Sequence, residues 1–252
     1  MAKLTVLDMV QDILGAMNSD DVNSISDTQE AYDVARIIKN TYEDMMADKD
    51  WPHLQTLMQL TAVGATRPTH MTIPDSVQRV LWIKYNKRTA TDTRDKYTEV
   101  TFKEPVDFLE LVNSRDSSAT NIDTIVDASS VSLFIRNDIA PTYWTTFDDE
   151  TIVMDAYDSA LEANLQTSKS QCFVYKEATF TISDTHTPDL PSKSFPQLVA
   201  QAKATSFSQI KQVMNGTEES KARRLRQRQS RENWRLNGGV KYPNYGKVSV
   251  KS

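Results

Sequence analysis

Residues 143–154, YWTTFDDETIVM, decide the fold of the central part of this 252-residue chain. The runs 143–147 and 151–154 are rich in β-branched and aromatic side chains, which favour strands. Three acidic residues separate the runs, and Asp is common in tight turns. Because two strands joined by so short a turn run antiparallel, the stretch predicts a hairpin in a mostly antiparallel sheet.

Other strand-like runs lie on both sides of this hairpin. They are Val80–Tyr85, Tyr97–Phe102, Ser132–Arg136, Ile152–Ala156 and Gln171–Tyr175. Between them, Pro105 marks the first turn of a short helix over residues 104–113. The polar residues 114–124, SRDSSATNIDT, are interpreted as a surface loop. Together these patterns predict a β-rich domain over residues 71–187.

Two helical patterns precede the β-rich region. Residues 4–17 carry apolar side chains at mostly helical spacing. A second apolar stripe over residues 28–48 follows residues 27–30, DTQE, which have the form of a capping box with Asp27 as the N-cap. Residues 1–70 are therefore predicted to be the N-terminal helical part of a bundle.

A third helical pattern follows a proline-rich connector. Residues 197–214 repeat apolar side chains at helical spacing and lead to Asn215-Gly216, a sequence typical of a helix C-cap. Residues 188–216 are predicted to complete the bundle. The expected fold class is α+β: N-terminal helices and long C-terminal helices form a helical bundle, with a central, mostly antiparallel β domain and an extended C-terminal tail.

Charge is distributed unevenly along the chain, whose net charge is −5. Residues 203–252 contain 12 lysines and arginines against 3 acids, a net +9, whereas the first 202 residues carry 17 basic and 31 acidic residues, a net −14. Such an uneven distribution of charge indicates that the two parts of the chain have different partners. The N-terminal residues have no continuous apolar stretch, so we expect neither a signal peptide nor a membrane span.

The most basic segment is residues 217–252, predicted to be an arginine-rich helix followed by an extended docking arm. The arginines spread around the helix, so it cannot pack into a core like an ordinary amphipathic helix. Aromatic side chains of the kind found in interface hot spots accompany them. The candidate docking residues are Arg223, Arg224, Arg226, Arg228, Arg231, Trp234, Arg235, Tyr242 and Tyr245.

Three interpretations of this segment remain open from its residues alone. Guanidinium groups form bidentate contacts with carboxylates and with phosphates, so the helix suits docking to an acidic protein or contact with nucleic acid. The third interpretation is a solvated charged helix without a partner.

Catalytic and metal-binding patterns are weak. His53, His70 and His186 lie in loop-like stretches without the spacing of a zinc motif. No glycine-rich phosphate loop is present, and the single Cys172 alternates within a strand as a small buried apolar residue would. Residues 148–150 are interpreted as a solvated turn. We expect no enzyme activity, no cofactor and no metal.

The order of these parts resembles the head-tail adaptor proteins of short-tailed bacteriophages, the family of tail tubular protein A and head completion proteins. The stretches that carry the resemblance are residues 5–17, TVLDMVQDILGAM; 27–52, DTQEAYDVARIIKNTYEDMMADKDWP; 73–86, IPDSVQRVLWIKYN; 133–175, beginning LFIRNDIAPTYW; and the basic arm ending YPNYGK. The β-rich region is longer than the simpler members of that family need.

The resemblance implies a structural virion protein at the head-tail junction, assembled in the host cytoplasm. It implies a ring of about twelve copies that joins the portal protein to a tail tube or nozzle protein, with the basic arm docking to the portal. The sequence also permits an arm that runs along the tail tube instead. Double-stranded DNA would pass through the ring without tight binding, and no membrane is involved. The alternative function is a nucleic-acid-binding virion or regulatory protein that uses the arginine-rich helix.

Overall fold

The computed structural model of the protein describes residues 3–89 and 91–236, with side chains as far as residue 231. The chain divides into two compact units. The helical unit combines Met1–His53 with Ala178–Ser252, and the β unit is Leu54–Glu177. The α+β class and the mostly antiparallel sheet predicted from the sequence are both confirmed.

The described part of the chain contains five α-helices, ten strands and two short 3₁₀ helices, Pro52–Leu54 and Thr167–Lys169. The helices are α1 (Val6–Ala16), α2 (Gln29–Ala47), α3 (Pro105–Asn113), α4 (Phe195–Gln209) and α5 (Gly216–Leu236). The strands are β1 (Gln55–Met58), β2 (Thr61–Ala62), β3 (His70–Thr72), β4 (Val77–Asn86), β5 (Tyr97–Phe102), β6 (Ile122–Val126), β7 (Ser132–Arg136), β8 (Tyr143–Thr146), β9 (Thr151–Met154) and β10 (Ser170–Lys176).

Eight strands of the β unit form one curled sheet in the order β1-β10-β4-β5-β8-β9-β3-β2. Neighbouring strands are antiparallel except β5 and β8, which are parallel. Strands β6 and β7 form a separate two-stranded ribbon. Helix α3 contacts β7 and β8 and buries Phe108 and Val112 in a core that also contains Ile83 and Cys172.

The hairpin of residues 143–154 has the predicted form. Strands β8 and β9 pair with Trp144 opposite Met154. In the turn, the Asp148 carboxylate accepts hydrogen bonds from the backbone N–H groups of Glu150 and Thr151 at 3.1 and 2.8 Å, and Asp149 has a φ of 60°. Asp tolerates this left-handed conformation better than most residues, which explains its place in the turn.

The strands begin earlier than the sequence pattern indicates, because β1 starts at Gln55 and β3 includes His70. Strand β6 also begins at Ile122, inside the segment interpreted as a polar loop. Only Ile125 of β6 is buried, so this strand lacks the regular apolar alternation by which a strand is recognised in a sequence.

The first two helices begin with side-chain caps. Thr5 and Asp8 form a capping box at α1, with Asp8 N–H donating to Thr5 Oγ1 at 3.1 Å. Naming Asp27 as the N-cap of α2 was wrong by one residue. Thr28 is the N-cap and accepts from the Ala31 N–H at 3.1 Å, whereas Asp27 accepts from two N–H groups of the preceding turn.

Helices α1, α2 and α4 contact one another and supply most of the core of the helical unit. Their buried apolar side chains are Val6, Met9, Val10, Ile13, Leu14, Ala31, Val34, Ala35, Ile37, Ile38, Tyr42, Met45, Phe195, Leu198, Val199, Ala200 and Ala202. Trp51 follows α2, is buried, and donates its indole N–H to the Met45 carbonyl at 3.0 Å.

Helix α4 ends five residues before the predicted end, at Gln209 rather than Met214. Gln212 has a φ of 54°, which a continuing α-helix cannot contain. The predicted C-cap at Asn215-Gly216 was therefore wrong. Asn215 instead lies just before α5, where its side chain accepts from the Glu218 N–H at 3.2 Å. Asn and Asp are favoured at the N-termini of helices because their side-chain oxygens accept hydrogen bonds from the free backbone N–H groups of the first turn.

Candidate docking surface

The arginine-rich sequence forms helix α5, which runs back along α4 as a helical hairpin. The first turns of α5 lie beside the C-terminal half of α4, where Ala222 and Thr205 line the same cavity. Further along α5, the side-chain amide of Gln229 donates to Ser194, the N-cap residue of α4. The chain therefore reverses direction between the two helices, over residues 210–215.

A narrow face of α5 makes these contacts. Glu218, Ala222, Leu225 and Gln229 are half-buried, and their spacing of four, three and four residues places them on one stripe of the helix. All other described side chains of α5 are exposed. None of the described α5 side chains is buried, so the helix covers its neighbour without entering the core.

The opposite and flanking surfaces of α5 present the candidate docking arginines. Five of them have described side chains, and all five are exposed: Arg223, Arg224, Arg226, Arg228 and Arg231. The structure thus places these residues together on one helix, away from the stripe that contacts α4. The hypothesis that this helix cannot pack like an ordinary core helix agrees with its burial pattern.

One of these arginines contacts the end of α2. The Arg226 guanidinium makes a two-point ion pair with the Asp48 carboxylate, with an Nε to Oδ2 distance of 3.2 Å and a second contact from Nη2 to Oδ1. The two side chains are 59% and 38% exposed, so solvent screens the pair. An exposed pair of this kind contributes about 0–1 kcal/mol.

The positive charge of Arg226 also acts on a neighbouring lysine. Burial lowers the pKa of Lys49, and the repulsion of Arg226 lowers it further, although attraction to Asp48 opposes both effects. The Lys49 ammonium lies 4.3 Å from the centre of the Trp51 ring. The end of α2 and the middle of α5 thus share a small cluster of charges that the sequence pattern did not indicate.

The remaining predicted docking residues are only partly described. Trp234 and Arg235 belong to α5, and their side chains lie outside the described residues. Tyr242 and Tyr245, together with the predicted extended tail, lie wholly outside the described residues.

The β unit contains a buried His-Asp pair that the sequence did not indicate. His70 was placed in a loop, but it lies in β3, is 1% exposed, and its Nε2 is 3.0 Å from Asp127 Oδ1. Burial lowers the pKa of His70, although Asp127 opposes the shift. Burial alone would raise the pKa of Asp127, but hydrogen bonds led by Ser129 lower it to about 2. The pair holds β3 to the β6–β7 turn and offers no exposed nucleophile.

The other candidate groups for chemistry have structural surroundings. Cys172 is buried in β10, and burial raises the pKa of its thiol to about 12, so the reactive thiolate is suppressed. Among the described residues, no three His, Cys, Asp or Glu side chains are grouped to hold a metal ion. No helix in the described part is long and apolar enough to cross a membrane.

The β unit has an open cavity of about 540 Å³ beside a second structural pair. There, Arg115 donates to the carbonyls of Phe134 and Asp155 and to the Asp155 carboxylate at 3.1, 2.7 and 3.0 Å. Because its guanidinium is already engaged by these acceptors, Arg115 joins the two strand regions rather than presenting a free charge to a ligand.

Neither a protein-family model nor a curated protein sequence matches the chain.

Proposed function

We propose that this protein is a ring-forming head-to-tail adaptor of a short-tailed bacteriophage, a structural virion protein that joins the portal to the tail and forms part of the DNA channel. In this proposal the helices of the helical unit act as the family's bundle, and the β unit faces a tail tube or nozzle protein. The arginine face of α5 docks to the portal, and about twelve copies complete the ring.

The observation that carries the proposal is the exposed arginine face of α5. The five arginines are exposed, and they lie on a helix none of whose described side chains is buried, so their charges face solvent. Arginine is the side chain best suited to partly buried pairs with carboxylates at interfaces, because its planar fork binds both oxygens. The Arg226–Asp48 pair is an example of that contact within the helical unit.

Charge distribution supports the same role. A net charge of −14 over the first 202 residues repels a DNA duplex, and each additional phosphate contact in a channel would retain the DNA in a salt-dependent manner. An acidic ring with a basic docking helix therefore permits passage of DNA while attracting an acidic protein surface. The charge asymmetry alone would also permit the nucleic-acid-binding alternative, which the following experiment separates.

The test combines the purified protein with rings of the portal protein encoded by the same phage genome and examines the mixture by electron microscopy. We expect a second ring stacked on the portal. The variant R223E/R224E should lose this association, because it reverses two exposed charges of the docking face. The variant R36E/K39E is the matched control, since it makes the same change of charge on α2 and should still bind.

A DNA titration at two salt concentrations decides between the two functions. The adaptor proposal expects negligible affinity for duplex DNA at physiological salt. If the protein fails to bind portal rings and instead binds DNA with a steep dependence on salt that R223E/R224E reduces, the nucleic-acid function replaces the adaptor function.

A further inference from the structure

The contact between α5 and α4 extends from the cavity near the chain reversal to Ser194, but solvent reaches much of it. Among the described side chains of α5, its apolar part consists of Ala222 and Leu225, both only half-buried. The Gln229 Oε1 atom is buried without a hydrogen-bond partner among the described residues. A buried acceptor that lacks a donor weakens the interface that contains it. Helix α5 is thus attached through side chains that are at most half-buried, and one buried acceptor in the interface lacks a donor among the described residues.

A cavity separates the two helices near the chain reversal. It has a volume of about 320 Å³ and lies between the C-terminal half of α4, including Ala204 and Gln209, and the start of α5, including Glu219 and Ala222. Close packing between the two helices is therefore interrupted near the chain reversal. The first two turns of α5 make fewer van der Waals contacts with α4 than a filled interface would provide.

The connector between the helices is strained and exposes apolar side chains. Gln212 has a φ of 54°, a left-handed conformation that disfavours residues with a Cβ other than Asn and Asp. Val213 and Met214 follow it with 59% and 82% of their surface exposed. Short, strained hinges of this kind favour the exchange of an element between copies of a chain.

We infer that α5 exchanges between copies of this protein, so that the α5 helix of one copy occupies the α4 surface of the next. The occupant is a second copy because the surface already fits this helix: an exchanged α5 makes the same contacts, including the Arg226–Asp48 pair. Opening the hinge removes the strain at Gln212 and gives Val213 and Met214 a neighbouring chain to pack against.

The geometry permits exchange along a series of copies. An extended connector of six residues spans about 20 Å, which is enough to reach an adjacent molecule. A head-to-tail contact of this type either closes into a ring or continues as a filament. Exchange goes beyond the proposed function, since it requires neither a portal nor DNA, and it leaves Arg223, Arg224 and Arg231 exposed on α5.

The test uses two single-cysteine additions on separate chains. One chain carries D48C and a size tag, and the other carries R226C without a tag. They are mixed at high concentration, warmed, and treated with a short bismaleimide. Exchange predicts a product that joins one tagged to one untagged chain. The tagged chain without added cysteine controls for Cys172, which is buried, and the double variant D48C/R226C reports the unexchanged form within one chain.

The variant Q212G tests the hinge. Glycine adopts the left-handed conformation without the steric penalty that a Cβ causes, so Q212G should stabilise the unexchanged hairpin. The yield of the product cross-linked between two chains should therefore fall roughly five-fold. D149G is the matched control, because it makes the same kind of change at a left-handed residue of the β8–β9 turn and should leave the yield unchanged. Products confined to single chains, or a yield that Q212G does not lower, would overturn the inference.

Discussion

Replacement of Arg115 by alanine should destabilise the β unit by several times as much as the loss of an exposed ion pair. The Arg115 side chain is 13% exposed, and that of its partner Asp155 is 4% exposed. The guanidinium donates to the Asp155 carboxylate and to two backbone carbonyls. Its removal leaves a buried carboxylate without its cation and two carbonyls without this donor.

The expected loss follows from these contacts. Removing one partner of a buried ion pair costs about 3–5 kcal/mol, because the remaining charge is uncompensated. Asp155 keeps two donors, the backbone N–H groups of Thr142 and Tyr143 at 2.9 and 2.8 Å, which reduces that cost. The two carbonyls that lose a donor add about 1 kcal/mol each to it. Because the donors that Asp155 keeps and the donors that the two carbonyls lose act in opposite directions, we expect Arg115→Ala to lower the free energy of unfolding by about 3–5 kcal/mol.

Urea unfolding followed by circular dichroism measures this loss, with the slope of the transition checked to remain constant. Arg136→Ala is the control, because Arg136 makes a two-point pair with Asp138 in which both side chains are 38% exposed. It should cost less than about 1 kcal/mol. If Arg115→Ala costs no more than Arg136→Ala, the pair does not hold the strands together and the reasoning is refuted.

Three further predictions concern other parts of the chain. Thr28→Ala should cost about 1 kcal/mol by removing the N-cap of α2, whereas the adjacent Gln29→Ala should change the free energy of unfolding by less than about 0.5 kcal/mol; equal effects would place the cap elsewhere. The pKa of His70 in the fold is below its unfolded value of 6.5, so the unfolded state binds more protons as the pH falls through this range. The contribution of His70 to the free energy of unfolding should therefore be fully present above pH 6.5 and decrease as the pH drops below it. Urea unfolding at several pH values should show that the free energy of unfolding depends less on pH in His70→Gln than in the unaltered protein. An unchanged dependence would contradict the assignment to His70. Leu225→Ala should cost less than about 1 kcal/mol and Leu198→Ala about 2–5 kcal/mol, because only Leu198 is buried; a large loss at Leu225 would show that α5 belongs to the core.

Elements with a strong local pattern could be predicted from the sequence. The stripe of α2 and the runs of β4, β5 and β10 repeat apolar or β-branched side chains over enough residues to fix their type. The β8–β9 hairpin could be predicted from its turn as well as from its strands, because Asp is common in tight turns. The capping residue of α2 was harder to predict, because both Asp27 and Thr28 can cap a helix. Which of the two is the N-cap depends on the hydrogen bonds of the turn that precedes the helix.

Elements held by distant contacts could not be predicted. Arg115 lies in the segment interpreted as a polar surface loop, and only the folded chain shows that its guanidinium reaches carbonyls on β7 and beyond β9. His70 is buried because Asp127, far along the sequence, satisfies its ring. The arginine-rich character of α5 can be predicted from the sequence, but its contact with Asp48 and its half-buried stripe against α4 depend on how distant segments of the chain pack together.

The helical unit is assembled from two segments that the β unit separates in the sequence. During synthesis, α1 and α2 leave the ribosome before α4 exists, and about 150 residues must be added between α2 and α4, which takes roughly 7–30 s at cellular rates of translation. The β unit, being continuous, can fold in that interval. The nascent α1–α2 pair must therefore wait with its apolar faces uncovered, and chaperone binding during translation should concentrate on this segment.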